Sequence, residues 1–241
     1  MSTTMNSTAV VQCIRSHASK ERARISQTFF KTGKGEYSEG DIFCGVRVPV
    51  LRTIAKEFRD IPLSEATTLL HSPIHEERMV GLYILIHQYE RGDERIKNTI
   101  AKLYLRSIKK YINNWDLVDT SAEQVIGEYV VRTKNSTLLT TLARSKSLWE
   151  RRVAMIATFY TIKKGESKST IAIANILLHD SHDLIQKAVG WMLREMGKRG
   201  NDKALHDFLD AHAHHMPRTM LRYAIERLPQ KERVAYRKQA K

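Results

Sequence analysis

From Val46 to the C-terminus, apolar residues return at spacings of three and four, and no stretch sustains the alternation of a half-buried strand. A chain so patterned buries its apolar stripes by packing amphipathic helices on one another, so an all-α fold is predicted. The prolines agree. Pro49, Pro62, Pro73, Pro217 and Pro229 each lie just before or at the start of a helically spaced segment, where the first-turn N–H has no intrahelical partner to lose. The spacing predicts helices over about 7–17, 21–31, 48–59, 63–71, 75–91, 93–110, 115–132, 135–144, 148–163, 166–179, 183–199, 201–212, 217–227 and 229–238. Thr32 to Cys44 carries Gly33, Gly35 and Gly40 and reads as a loop.

Three of these helices share a local pattern. Glu77-Arg78-Met79-Val80-Gly81, Arg151-Arg152-Val153-Ala154-Met155 and Gln186-Lys187-Ala188-Val189-Gly190 each set a polar or basic pair before small apolar residues, at offsets of 74 and 35 positions. These are close to two periods and one period of about 36, the range of two-helix solenoid repeats. The expectation is therefore one HEAT-like repeat domain over 1–241. Its antiparallel helix pairs would stack into a C-shaped α-solenoid with a concave basic face, and residues 1–45 would form a helical N-terminal part holding the glycine-rich loop at 32–44.

Charge narrows the partners. Forty Lys and Arg against 26 Asp and Glu leave a net +14, a field that attracts nucleic acid or another polyanionic surface. No run approaches the roughly 20 apolar residues of a membrane span. Met1 to Val11 lacks the basic start and apolar core of a secretion signal, and Cys13 and Cys44 are too few for a disulfide framework. A cytoplasmic monomer, nucleoid-associated when bound to DNA, is expected.

On the predicted helix 183–199, Ile185, Ala188, Val189, Met192 and Met196 form the inward stripe. Lys187, Trp191, Arg194 and Lys198 follow one another by four, three and four positions on another face. A tryptophan thus stands inside a basic row. Arg152, Phe159 and Lys163 repeat the arrangement one helix earlier, Arg52 with Lys56 and Arg59 does so near the N-terminus, and Arg218 with Arg222 near the C-terminus. Any single row could be a solvated outer face, but equivalent positions on successive repeats line one surface, where Lys and Arg would meet phosphates.

Asn113-Asn114-Trp115-Asp116-Leu117-Val118-Asp119 begins another helix, with either asparagine able to cap it. Trp115 and Asp119, four apart, share a face; Asp119 can equally be an acidic first-turn residue favoured by the helix dipole. His206, Asp207, Asp210, His212, His214 and His215 crowd one helix end without metal-ligand spacing, so no metal is expected.

Taken with Phe43-Cys44-Gly45-Val46-Arg47-Val48-Pro49 leading into Leu51-Arg52, with Leu148-Trp149-Glu150-Arg151-Arg152, and with Ile185 to Glu195, this segment resembles the AlkD-type DNA alkylation repair glycosylases, which are built from HEAT-like repeats. The blocks keep the family's order over roughly residues 40–200. The resemblance implies excision of N3- and N7-alkylated purines from double-stranded DNA without a pocket for a flipped base. It places the family's active-surface tryptophans at Trp115 and Trp191, its carboxylate at Asp119 and a DNA-contacting arginine at Arg152. Trp149 reads as core. Loss of a cationic purine passes through a sugar with oxocarbenium character, which a carboxylate stabilises and indole faces accommodate by cation–π contact, with no cofactor. Further DNA contacts are expected from Lys163, Lys187, Arg194, Lys198, Arg47, Arg52, Arg218 and Arg222. The sequence departs from the family's well-known enzymes at Asn114, where they carry an aromatic, at Arg47, where they carry a neutral polar residue, and in the glycine-rich insertion. A noncatalytic HEAT-like binder of bent or branched DNA is the alternative, and a scaffold for an acidic protein partner the third reading.

Overall fold

A computed structural model describes residues 5–239, and every regular element among them is helical. Packing divides the chain into two compact units, Met1–Leu117 and Val118–Lys241. No described helix is long and apolar enough to cross a membrane.

The first unit contains α1 (Ser7–Ser16), α2 (Lys20–Phe29), α3 (Val48–Glu57), α4 (Leu63–Leu70), α5 (His75–Arg91) and α6 (Glu94–Ser107). The helix starts follow from local chemistry. Asn6, Ser19 and Asp93 accept hydrogen bonds from the backbone N–H groups of Ala9, Arg22 and Ile96, while Pro49 lies in the first turn of α3 and Pro62 directly precedes α4. The core gathers on α5, against which α3, α4 and α6 pack. From His75 to Ile86 every residue of α5 is buried, the mark of a helix covered all round. Its charged first turn is therefore buried too, and each of those groups requires a partner. The glycine-rich segment is a loop, as its composition predicts, with Gly35 and Gly40 both at φ +78°.

The second unit runs through α8 (Glu128–Thr133), α9 (Thr137–Ala143), α10 (Leu148–Ala157), α11 (Phe159–Ile162), α12 (Lys168–Ile176), α13 (Asp183–Lys198), α14 (Asp202–His212), α15 (Arg218–Ala224) and α16 (Gln230–Gln239). The short α7 (Trp115–Asp119) carries the division between the units. The core centres on α10 and α13, and the stripe Ile185, Ala188, Val189, Met192 and Met196 is fully buried. Trp149 is buried as well, at 7% exposure.

Two predicted helices are broken. The segment 115–132 divides into α7, a turn closed by the Ser121 N–H on the Val118 carbonyl, a π-helical turn over Glu123–Gly127, and α8. The wider turn accommodates one extra residue while keeping Val125, Ile126 and Gly127 buried against α10 and α11. Segment 148–163 divides at Thr158, whose N–H and hydroxyl both donate to the Met155 carbonyl, tightening the chain there.

Candidate functional site

Asp119 ends α7, and its carboxylate is held by Arg152 of α10. Arg152 Nε donates to Oδ1 at 2.9 Å and Nη2 to Oδ2 at 2.8 Å, while Nη1 donates to the Leu184 carbonyl at the start of α13. The Asp119 side chain is 16% exposed and that of Arg152 5%. A planar fork on a planar carboxylate fixes the two groups in one mutual orientation. Where the resemblance implies a DNA contact, the Arg152 guanidinium instead lies buried with its outward donors already engaged.

On α13, Trp191 is half-buried, its ring centroid 6.3 Å from that of Phe159. Lys163 and Arg199 lie over the Phe159 ring, each 5.1 Å from its centroid. Phe159 thus has Trp191 beside it and two cations over its ring, Arg199 being an addition to the predicted rows. Lys163 also pairs with Glu123 at 2.5 Å and Lys187 with Asp183 at 2.6 Å. Arg194 is partly buried between Glu226 and Glu195, so it is more constrained than a free phosphate ligand. Lys198, Arg218 and Arg222 are exposed, the last lying over the Tyr223 ring.

In the first unit, Trp115 opens α7 half-buried within an aromatic stack. Its ring lies 5.2 Å from Phe30 at an interplanar angle of 23°, Phe30 lies 4.9 Å from Phe43 at 16°, and Phe43 lies 4.3 Å from His75 at 24°. Phe29, 63% exposed, meets Trp115 edge-on. His75 stands between two carboxylates: Nδ1 is 2.8 Å from Asp41 and Nε2 2.9 Å from Asp116. Burial by itself would lower the imidazole's pKa, but Asp116 and Asp41 more than reverse this and hold it up at about 9. Asp41, which burial would push up, is brought down to about 2 by His75 and Arg78. Arg78 donates to Asp41 at 2.7 Å, and Asn114 donates to the same carboxylate at 3.2 Å.

The loop carrying Arg47 is anchored by the next residue of α5. Glu76 accepts from the N–H groups of Cys44, Gly45 and Val46. Burial and then Glu76 push the Cys44 thiol up to about 12. Gly45 is at φ +80°, and a Cβ there would lie 2.2 Å from the Ser19 carbonyl oxygen, so only glycine fits. Arg47 and Arg52 are exposed, Arg52 5.5 Å from the Tyr83 ring.

Sequence reasoning missed His75, Asp41 and the Phe30–Phe43 pair. One signal was available: a His-Glu-Glu-Arg start on a helix otherwise apolar on every face, whose charges must be buried and paired. The histidine-rich segment near α14 separates into local pairs, with His206 on Glu232 and Asp210 accepting from the Tyr236 hydroxyl.

Among the described residues, then, an all-helical fold carries a guanidinium-held carboxylate and two partly exposed tryptophans, in a chain with a strong cationic excess. The family model of the DNA alkylation repair enzymes matches residues 10–228, and the chain belongs to that family. Among solved structures, it is similar to one described as a predicted DNA alkylation repair enzyme from Enterococcus faecalis. The two share 17% identity over 89% of this chain and 98% of the other, with a TM-score of 0.68; at that identity the likeness concerns the fold. No curated protein matches the chain.

Proposed function

We propose that this member of the family is a DNA glycosylase that hydrolyses the N-glycosidic bond of cationic N3- and N7-alkylated purines in double-stranded DNA. The observation that carries the reading is the Asp119–Arg152 pair: a carboxylate fixed in orientation yet still 16% exposed, at the end of the helix that Trp115 opens. As the C1′–N9 bond breaks, its electrons leave with the purine and neutralise that ring's positive charge. The sugar becomes cationic, water adds to C1′, and a proton is released. Asp119 opposes the charge growing on the sugar and orients the water. Trp115 and Trp191 offer π faces to the cationic nucleotide, each contact worth on the order of 0.5–2 kcal/mol. Arg152 serves this chemistry indirectly, by holding Asp119. Phosphate contacts fall to the exposed Lys198, Lys163, Arg47, Arg52, Arg218 and Arg222, with Lys187 and Arg194 adding to the field.

The test is single-turnover incubation with duplex DNA carrying one N7-methylguanine, scored for abasic sites. Wild type should excise, and Asp119→Asn, which keeps shape but removes charge, should be slower by about 10²-fold with nearly unchanged affinity. A wild type that binds tightly but releases no cationic purine would instead identify a noncatalytic DNA binder.

A further inference from the structure

Trp115 is the first residue of a five-residue helix, and a helix that short has little orientational order of its own. Whatever aims the indole must come from the surrounding packing. Three routes lead from His75 to it. The Asp116 carboxylate accepts from His75 through Oδ2 and from the Leu117 N–H through Oδ1, tying the ring to the first turn of α7. Asn114, fully buried, donates to the Asp41 oxygen that also meets His75, and accepts from the Trp115 N–H at 2.8 Å. The stack of Phe43 and Phe30 joins the imidazole face to the indole face.

We propose that His75 is a positioning residue for Trp115, clamped between Asp41 and Asp116 so that the indole is held where it meets the lesion. The inference rests on the reading of Trp115 as a lesion-facing residue. Imidazole can donate from both ring nitrogens only as a cation, and a carboxylate flanks each nitrogen, so the site is built for the charged ring. Removing that charge leaves buried Asp41 with Arg78 as its remaining cation and takes from Asp116 the ring that ties the first turn of α7 to α5. Asn114, where the family's known enzymes carry an aromatic, thereby gains a use: its amide links the clamp to the tryptophan backbone. Misplacing a substrate-facing group by about 1 Å can cost about 10²-fold in rate, so the clamp acts on the rate rather than on affinity, which the exposed cationic residues set.

The experiment compares wild type, His75→Gln, Asp116→Ala and Asp116→Asn in the full-length protein. Single-turnover excision of N7-methylguanine and affinity for undamaged duplex are measured together. Acrylamide quenching of Trp115 emission is read in a Trp149→Phe, Trp191→Phe background. His75→Gln and Asp116→Ala should each slow excision by about 10-fold or more, change affinity by less than about threefold, and raise quencher access to Trp115. Asp116→Asn keeps one acceptor oxygen, enough for His75 but not for the Leu117 N–H as well, and should fall between Asp116→Ala and wild type in both rate and quenching. Folded His75→Gln and Asp116→Ala proteins with wild-type rate and quenching, whatever their melting temperature, overturn the proposal by reducing the clamp to a stabilising contact. If His75→Gln does not fold, the Asp116 pair decides alone, since it leaves the Asp41–His75–Arg78 cluster intact. Trp115→Ala separates the two levels. Excision at the wild-type rate by Trp115→Ala removes the lesion-facing reading itself, whereas slow excision by Trp115→Ala beside fast excision by His75→Gln removes only the positioning role.

Discussion

Arg152 grips Asp119 through two parallel hydrogen bonds of 2.9 and 2.8 Å, and its third guanidinium nitrogen is spent on the Leu184 carbonyl. The pair joins the end of α7 to α10 and the beginning of α13. Replacing Arg152 by Ala removes three hydrogen bonds and the paired charge from a largely buried site, and should destabilise the protein by about 3 kcal/mol. Arg152→Lys keeps the charge but loses the fork, and should cost less stability yet still slow excision by about 10-fold. Urea unfolding and single-turnover rates on the same preparations check both.

The salt dependence of binding distinguishes this arrangement from a phosphate contact. Lys198→Ala, Arg52→Ala and Arg222→Ala, each removing an exposed cation, should each flatten the slope of log K against log salt by about one unit. Arg152→Lys should leave the slope unchanged. A reduction of about one unit with Arg152→Ala in a folded protein would return that residue to the DNA backbone.

The His75 cluster sets a pH window. The folded imidazole titrates near 9 against an ordinary 6.5, so its stabilisation is complete below about 6.5 and is lost as pH rises through about 9. Asp41 titrates near 2 against 3.8, so its share is present above about 3.8 and is lost as pH falls through about 2. Melting temperature should therefore decline from near neutrality toward pH 9, and His75→Gln should flatten that decline. An unaltered alkaline limb in the variant would mean that His75 carries no linked proton.

Gly190 of α13 tests a close helix contact in the second unit. A Cβ there would lie 2.4 Å from the Met220 carbonyl oxygen and 2.5 Å from Tyr223 Cβ on α15. Gly190→Ala should cost about 1–3 kcal/mol by forcing the helices apart, measured as a lower urea midpoint. Gly81 occupies the same place in its pentapeptide, but its Cβ would meet Ala66 and Leu70 on α4. In these two segments the glycine thus serves close approach, to a preceding helix in one case and to a following helix in the other, while Met155 holds the corresponding place in the third.

Helix positions were legible because caps, prolines and apolar stripes agree on them. α5 begins and ends where the spacing places it, at His75 and Arg91. The break after Asp119 was not legible: Val118, Ala122, Val125 and Ile126 are all buried, so the hydrophobic pattern runs on while the hydrogen-bond register changes. At the site, Trp115, Trp191 and Asp119 stand out by residue type, but the exposure of a neighbouring arginine does not. Arg151 and Arg152 are adjacent and chemically identical, yet one pairs with Asp180 and the other with Asp119. His75 and its carboxylates lie more than 30 positions apart in sequence, a separation that periodicity cannot bridge.

The π-helical turn over Glu123–Gly127 has a consequence for the history of the chain. It holds one residue more than an α-helical turn, and by widening it confines that residue so that the buried faces on either side stay in register. A one-residue deletion here is taken up by a return to ordinary winding, whereas the same deletion in an α-helical turn would rotate the adjoining residues by about 100° around the axis. Lineages of this chain should therefore differ by one residue at Glu123–Gly127 more readily than in the α-helices that pack against it.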